Sequence, residues 1–209
     1  MIATKVVFKD KEIEDERLEL TDKGSLYFLG PNVTLRNCTL VLKVAARSLL
    51  IRGATRFIGC TFEVKQELKN HQDWISASLE GCRFKGRFSG CDFGHWPEYG
   101  SEPEYQLGSI KDCDFTEARL DACRIMGSDP ATLRFPRWPC FTILDPIGRA
   151  PELRGVKWPG NFGIIVDNLH THPPSTSALT YHAPSVAQRK ETTEEELRAV
   201  LEKFDCIIY

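Results

Sequence analysis

A six-residue pattern recurs along the first two-thirds of the chain: an apolar residue, two small or polar residues, a cysteine, any residue and a second apolar residue. Complete copies occupy 35–40, 57–62, 79–84, 88–93, 110–115 and 120–125. The intervals from Cys38 to Cys60, from Cys60 to Cys82 and from Cys91 to Cys113 are each 22 residues. Internal repeats of this length are typical of one turn of a solenoid, so the pattern predicts a coil whose turns stack on each other.

A finer step of five residues runs inside these turns, with a large apolar residue two places after a small one. The best pairs are Cys113 and Phe115, Ala118 and Leu120, and Cys123 and Ile125. This step resembles that of the pentapeptide-repeat family, most clearly over 77–127, with weaker copies from about residue 33 and none after 130. The resemblance implies a right-handed coil of square cross-section, with four units per turn. Its side chains stack in ladders about 4.8 Å apart, and cysteine serves as a small, inert filler.

We therefore predict an all-β fold, a right-handed parallel β-helix of the pentapeptide-repeat kind, followed by an irregular C-terminal region with one C-terminal α-helix. The predicted β-helix covers 1–129, with N-terminal capping strands at 18–20 and 25–29. A loop insertion at 94–109 interrupts the repeat, and 63–76 either loops or forms poorly matched faces. Residues 130–209 are predicted to be a Pro-rich flank, a linker and a helix packed on the coil.

The C-terminal region gives mixed local signals. An apolar run predicts a short strand at 162–166, and a Pro-rich stretch of few large side chains predicts an extended linker or mobile arm at 170–188. Thr193 and Glu196 have the spacing of a capping box, and apolar residues follow at helical spacing, which predicts a helix. Its apolar stripe packs either on the chain's own coil or on a partner. A short buried strand is predicted at 206–209.

Charge and composition narrow the function classes. Lys and Arg number 27 and Asp and Glu 29, for a net charge of −2, so the global balance predicts neither a nucleic-acid nor a membrane partner. The sequence contains no run of about 18 apolar residues, and its first residues do not resemble a signal peptide. Eight cysteines that mostly keep the repeat are better explained as buried thiols than as disulfides, which favours the cytoplasm. The oligomeric state stays open.

Two groups of residues are candidates for chemistry. His170 and His172 alternate as strand neighbours do, and Asp167 and His182 are near enough in sequence to complete a metal site. A nucleophilic Cys140 or Cys206 would need a histidine beside it. Neither spacing is a known metal or catalytic signature, so the prediction is no catalytic residue, no cofactor and no metal.

The loop insertion is the preferred partner-binding site, because it combines aromatic and acidic residues on a segment that the repeat does not need. Aromatic anchors inside a charged rim are typical of protein interfaces. The predicted partner-binding residues are His95, Trp96, Glu98, Tyr99, Glu102, Glu104 and Tyr105. The alternative is a loop whose Trp96 simply covers the flank of the coil.

Three functions follow as hypotheses. The first, which the family resemblance implies, is a non-enzymatic protein-binding module, a bacterial immunity protein that neutralises a cognate toxin. The second is also implied by the resemblance: a DNA mimic that binds or protects gyrase, for which the stretch from Asp92 to Asp121 offers eight acidic residues against two basic ones. The third is a small metal- or Cys-dependent enzyme using His170, His172 or Cys140.

Overall fold

The protein is a parallel β-solenoid followed by a mixed C-terminal region, in a computed structural model that describes residues 4–209 apart from the Glu104 side chain. The coil strands are β1 (Thr4–Phe8), β2 (Lys11–Glu14), β3 (Arg17–Leu20), β4 (Ser25–Leu29), β5 (Val33–Arg36), β6 (Thr39–Leu42), β7 (Leu49–Ile51), β8 (Thr55–Ile58), β9 (Thr61–Lys69), β10 (Ala77–Glu80), β11 (Arg83–Ser89), β12 (Asp92–Gly94), β13 (Ser109–Lys111), β14 (Asp114–Asp121) and β15 (Cys123–Met126).

Each early winding carries three strands, one on each of three faces. Face A holds β1, β4 and β7; face B holds β2, β5, β8, β10 and β13; face C holds β3, β6, β9, β11 and β14. All neighbours within these faces are parallel. Leu35 pairs with Phe57, and Phe57 with Leu79, which confirms the 22-residue period and the stacked coil.

Each of these windings carries three strands, whereas the resemblance implied four units per turn. A strand together with its turn takes about seven residues on average, as from Thr4 in β1 to Lys11 in β2, so a winding of 22 residues holds three strands. Face C also carries long strands, and β11 bends at a register shift between Gly86 and Phe88. Gly86 has φ +109°, and a Cβ there would collide with the Val64 carbonyl, so glycine is required at this bend.

Large side chains of successive windings stack inside the coil. The rings of Phe62 and Phe84 lie 4.9 Å apart, and those of Phe84 and Phe115 lie 4.5 Å apart, nearly parallel in both cases. Trp74 fills the space beside them and meets Phe62 edge-on at 5.0 Å. All four side chains are fully buried, so the ladder excludes water along the coil axis.

The cysteines of the repeat do more than fill space. Their thiols donate to carbonyl oxygens of the preceding winding, at 3.3 Å from Cys60 Sγ to Leu35 O and 3.3 Å from Cys82 Sγ to Phe57 O. Equivalent bonds are made by Cys38, Cys91, Cys113 and Cys123. All eight cysteines are buried and free, with each repeat thiol inside the coil. Burial raises the pKa of the Cys60 thiol to about 11 and keeps it protonated.

The C-terminal region extends the last coil strands into an antiparallel sheet and adds four short helices. The sheet order is β12–β15–β17–β16–β18, and both β15–β17 and β17–β16 are antiparallel. The elements are β16 (Cys140–Leu144), α1 (Ala150–Arg154), α2 (Gly163–Asp167), β17 (Thr176–His182), α3 (Ala183–Arg189), α4 (Glu194–Leu201) and β18 (Ile207–Ile208). Phe141, Phe162 and Leu197 belong to a second hydrophobic cluster that fills this region.

Two predictions for this region are wrong. The segment expected to be a strand at 162–166 instead forms helix α2, because a short apolar run can bury its side chains equally well as a helix or as a strand. The linker or mobile arm expected at 170–188 contains the buried strand β17 and helix α3. Strand β17 is covered on both faces and so accommodates small residues. Ala178, for example, is fully buried against the coil core.

Other predictions are confirmed. Strands occupy the N-terminal segments predicted at 18–20 and 25–29, and β18 lies within 206–209. The capping role predicted for 25–29 is wrong, because the coil already begins at β1 and β4 lies between β1 and β7. Thr193 and Glu196 form the capping box of α4, with bonds of 3.1 and 3.2 Å. The apolar stripe of α4 was expected on the chain's own coil or on a partner; the first alternative is wrong, because Leu197 and Leu201 pack in the second cluster beside α3. The stretch 63–76 forms the end of β9 and a 3-10 helix, Asp73–Ser76. Among residues 4–209, no helix has the length and apolar character to cross a membrane.

Candidate functional site

The loop that leaves the coil between β12 and β13 is the candidate site. It contains a 3-10 helix, Pro103–Leu107, and rejoins the coil at Gly108. A Cβ on Gly108 would collide with the Ile75 carbonyl, and one on Gly94, where φ is +96°, would collide with that of Met126. Both ends of the loop therefore lie tightly on the coil backbone, so the scaffold fixes where the loop begins and ends.

Three aromatic residues predicted from the sequence come together in this loop. The Trp96 and Tyr99 ring centroids lie 4.9 Å apart, and those of Tyr99 and Tyr105 lie 4.8 Å apart. The Arg124 guanidinium lies 4.7 Å from the Trp96 ring centroid in a cation–π contact. Trp96 and Tyr105 are half-buried, whereas Tyr99 is 39% exposed. The cluster both covers the coil and presents an aromatic surface to solvent.

A buried ion pair supports this aromatic cluster. Asp92, only 2% exposed, accepts bonds of 2.6 and 2.9 Å from two Arg124 nitrogens. Gln72 Nε2 donates to Asp92 at 3.3 Å, and Tyr99 Oη donates to Gln72 Oε1 at 3.2 Å. Hydrogen bonds connect Tyr99 through Gln72 and Asp92 to Arg124, and the cation–π contact connects Arg124 to Trp96. Tyr99, Gln72, Asp92 and Arg124 each have a hydrogen-bond partner inside the fold, which holds the loop in place, whereas Trp96 Nε1 is buried without one.

The remaining predicted residues have different surroundings. His95 is half-buried, and its backbone N–H donates to the Met126 carbonyl at 2.9 Å. Glu98 accepts a 2.7 Å bond from Ser175 Oγ, which ties the loop to the C-terminal region. Glu102 is exposed, and the Glu104 side chain lies outside the described part of the structure. The sequence reasoning missed Leu107, which is 50% exposed at the end of the loop helix.

Arg124, Asp92 and Gln72 were also missed as parts of the site. Asp92 and Arg124 occupy the position after the repeat cysteine, where every copy carries a polar residue, so the pattern gave no signal for them. Their pairing could not be seen, because they become neighbours only through the parallel register of β12 and β15. His172 lies near the same ion pair, and burial, followed by the positive charge of Arg124, lowers its pKa.

Several of the acidic residues on which the DNA-mimic hypothesis depends form ion pairs with basic residues. Asp92 pairs with Arg124, Asp121 with Arg189 at 2.7 Å, Glu117 with Lys85 at 2.9 Å, and Asp114 with Arg134 at 3.7 Å. These bases come mostly from outside the stretch. The acids also lie on different strands, since Asp92 is in β12 whereas Glu117 is in β14. The local excess of negative charge is therefore largely offset in the folded chain.

The histidines of the candidate metal site do not have the predicted arrangement. His170 and His172 do not alternate on a strand, because a 3-10 helix runs over Leu169–Thr171. His170 Nδ1 lies 2.6 Å from Arg154 Nη2. Within the described residues, no three His, Cys, Asp or Glu side chains are grouped to hold a metal ion.

Strand pairing places Cys140 directly opposite His182, a proximity that the sequence could not reveal. The Cys140 thiol donates to the Leu120 carbonyl at 3.7 Å, and burial raises its pKa. His182 Nδ1 is bonded to Ser185 Oγ at 2.8 Å, and burial lowers the pKa of His182. A nucleophile needs a thiolate, whereas this environment favours the neutral thiol.

Comparisons with known proteins add nothing to this geometry. No protein-family model, no curated protein and no solved structure matches the chain. The chain is a parallel β-solenoid with an aromatic loop fixed on its last windings.

Proposed function

We propose that this chain is a non-enzymatic binding module whose loop, 95–108, docks on another protein. The carrying observation is the aromatic cluster of Trp96, Tyr99 and Tyr105, held in place by the buried pair of Asp92 and Arg124. Aromatic residues on a preorganised loop bind at a small entropic cost, because little freedom remains to be lost on association. Exposed Tyr99 and Leu107 provide the contact surface.

The specific form of the proposal is a bacterial immunity protein that binds and neutralises a cognate toxin in the cytoplasm. The resemblance of 77–127 to pentapeptide repeats supports this class, and the rigid coil suits a protein that blocks a partner by shape. The eight free thiols support a reducing compartment. Fold alone does not establish function, so the proposal depends on the binding experiment.

That experiment co-expresses the chain with the product of the gene next to its own and measures complex formation by calorimetry. A one-to-one complex is expected, and protection of cells from that product is the functional readout. Tyr99→Ala combined with Leu107→Ser should weaken binding at least about thirtyfold, the loss typical of an interface hot spot. The matched control is Val7→Ser with Ile164→Ser, two residues that are 49% and 53% exposed elsewhere.

Two results would overturn the proposal. Equal weakening by the control pair would mean that the loop is not the contact surface, and absence of any complex with the neighbouring product would remove the immunity role. A gyrase supercoiling assay addresses DNA mimicry, and unchanged activity over a wide titration is expected because the acids of β12 and β14 are already paired. Inhibition or protection of gyrase would favour the mimic instead.

A further inference from the structure

Four arginines follow one another across face C and onto the C-terminal region. Arg87 in β11 and Arg119 in β14 are direct neighbours in the parallel register. Arg47 lines a surface cavity of about 500 Å³ together with Arg87. Arg119 lines a second cavity, of about 370 Å³, together with Arg137. We call the row Arg47, Arg87, Arg119 and Arg137 the arginine strip.

These guanidinium groups lack counter-charges. In the described part of the chain, none of the four makes a side-chain hydrogen bond or an ion pair, although twelve other basic residues pair with acids. The acids lining the same cavities are already engaged. Glu67 lies 3.6 Å from Lys69 Nζ and accepts a 3.1 Å bond from Ser89 Oγ, and Glu117 lies 2.9 Å from Lys85 Nζ.

Charges of one sign in such a row repel one another. Arg87 and Arg119 lie on successive parallel strands about 4.8 Å apart, well within the Debye length of about 8 Å at physiological ionic strength. A ligand with several negative charges would relieve this repulsion, and arginine forks bind carboxylates in two-point contacts. The strip is therefore complementary to a polyanion.

The surroundings favour carboxylates on a polypeptide over phosphates on a nucleic acid. Carboxylates of Glu67 and Glu117 line the cavities, where they would oppose a continuous phosphate backbone. A polypeptide instead offers backbone N–H groups that such carboxylates accept. Ala45 and Ala46 add a small apolar floor, and Trp138 is the one aromatic residue lining these two cavities, which is too few for stacking successive bases.

The strip is continuous with the candidate loop. Arg47 and Lys69 line both the first cavity and a neighbouring cavity of about 380 Å³, and Tyr99 from the loop lines that neighbour. A partner seated on Tyr99 therefore reaches Arg47 without leaving the surface.

We propose that the arginine strip binds an acidic segment of the protein partner. This inference rests on the proposed function and adds the chemistry of the partner: a surface or tail rich in Asp and Glu beside the element that contacts the loop.

The test uses a fluorescein-labelled peptide of about ten glutamates, which spans about 30 Å when extended, and a thymidine oligonucleotide of equal charge. Binding of each to the full chain is measured by anisotropy at low and at physiological salt. The strip variant carries Arg47→Glu, Arg87→Glu, Arg119→Glu and Arg137→Glu. The control variant carries Lys5→Glu, Arg56→Glu, Lys157→Glu and Lys203→Glu, four exposed residues outside the strip that change the net charge equally.

The strip variant should lose at least about tenfold in affinity for the peptide, and the control variant less than about threefold. A milder Arg→Gln version of the strip variant guards against misfolding and should show a smaller loss in the same direction. Equal losses in strip and control variants, or no peptide binding at low salt, would overturn the inference. Tighter, strip-dependent binding of the oligonucleotide would replace it with a nucleic-acid site.

The same variants separate this inference from the proposed function. If the partner complex forms with the wild type and survives the strip substitutions unchanged, the partner is not held by acidic residues here and only the inference fails. If the wild type binds the peptide through the strip but forms no partner complex, the proposed function fails instead.

Discussion

Phe84 in the coil and Phe141 in the C-terminal region are both fully buried, yet their neighbours differ in kind. Phe84 stacks between Phe62 and Phe115, which occupy its own position in the windings on either side. Phe141 meets Phe162, at the N-cap of α2, and Tyr181, in β17, at 6.1 and 5.8 Å, and neither neighbour belongs to a repeat. In the coil, one residue therefore influences a whole ladder, whereas in the C-terminal region it influences a local cluster.

The largest expected effect is that of emptying a ladder position. Phe84→Ala should lower the free energy of unfolding by about 3 to 5 kcal/mol, because the closely packed windings cannot collapse into the space. Phe141→Ala should have a loss of similar size. Urea unfolding measures both losses, and hydrogen exchange shows where they act. Exchange should rise across β9, β11 and β14 for Phe84→Ala and around α2 and β17 for Phe141→Ala. The same exchange pattern in both variants would contradict the contrast between ladder and cluster.

A pH dependence should arise from the coil. Burial lowers the pKa of His71 to about 3, and its Nε2 has no hydrogen-bond partner. The unfolded chain binds a proton near pH 6.5, so stability is full above that value and falls as the pH drops toward 3. At pH 5 the loss from this group is about 2 kcal/mol.

Urea unfolding at pH 7 and pH 5 tests this, with His71→Phe and, as control, exposed His170→Asn. The loss attributable to His71 should vanish in the first variant and persist in the second. An unchanged pH response in His71→Phe would assign the effect to other groups.

The junction between the two regions should show a smaller effect. Asp121 of β14 accepts 2.7 and 3.1 Å bonds from Arg189 of α3, and its Oδ1 accepts the backbone N–H of His182 at 3.3 Å. Asp121→Asn should lower stability by about 1 to 2 kcal/mol, because the Arg189 side chain is 48% exposed and solvent screens part of the pair. Arg198→Gln, at an exposed helical pair, is the control. Separation of the unfolding transition into two steps in Asp121→Asn would show that this contact couples the regions.

The smallest effect is expected at a single thiol. Cys60→Ala removes one buried sulfur and one bond to the Leu35 carbonyl, so stability should fall by about 1 kcal/mol. Cys206→Ala should lose less, because this cysteine makes no comparable thiol bond among the described contacts. Thermal unfolding of the two variants measures the difference. A larger loss for Cys206→Ala would show that the repeat gains nothing from its sulfur bonds.

These contrasts explain what the sequence could reveal. The coil was predictable because each position has the same surroundings in every winding. Cys60 and Cys82, for example, lie in equivalent environments and therefore show the same residue type. The helix at 163–167 and the strand Thr176–His182 were not, because their neighbours are set by contacts found once. A short apolar run does not distinguish strand from helix when the packing around it is unknown.

The site was predictable only in part for a related reason. The insertion at 94–109 stood out because it breaks the repeat, and its aromatic residues do cluster. The insertion also changes the interval between stacked residues, from Thr61 and Arg83 before it to Arg87 and Arg119 across it. The partners of Asp92 and the row of arginines depend on that altered register, so counting by the earlier period could not find them.

The antiparallel strand β17 has a consequence for assembly. A parallel stack is in principle unlimited, because its final strand offers the same unpaired amides and carbonyls to a further copy. Here β17 lies against β15 in the opposite direction, and the Arg134 backbone bonds to Cys113 and Phe115 at the last strand of face C. Within the chain, the outer edges of β14 and β15 are thereby paired, which disfavours head-to-tail addition of a further copy at these two strands.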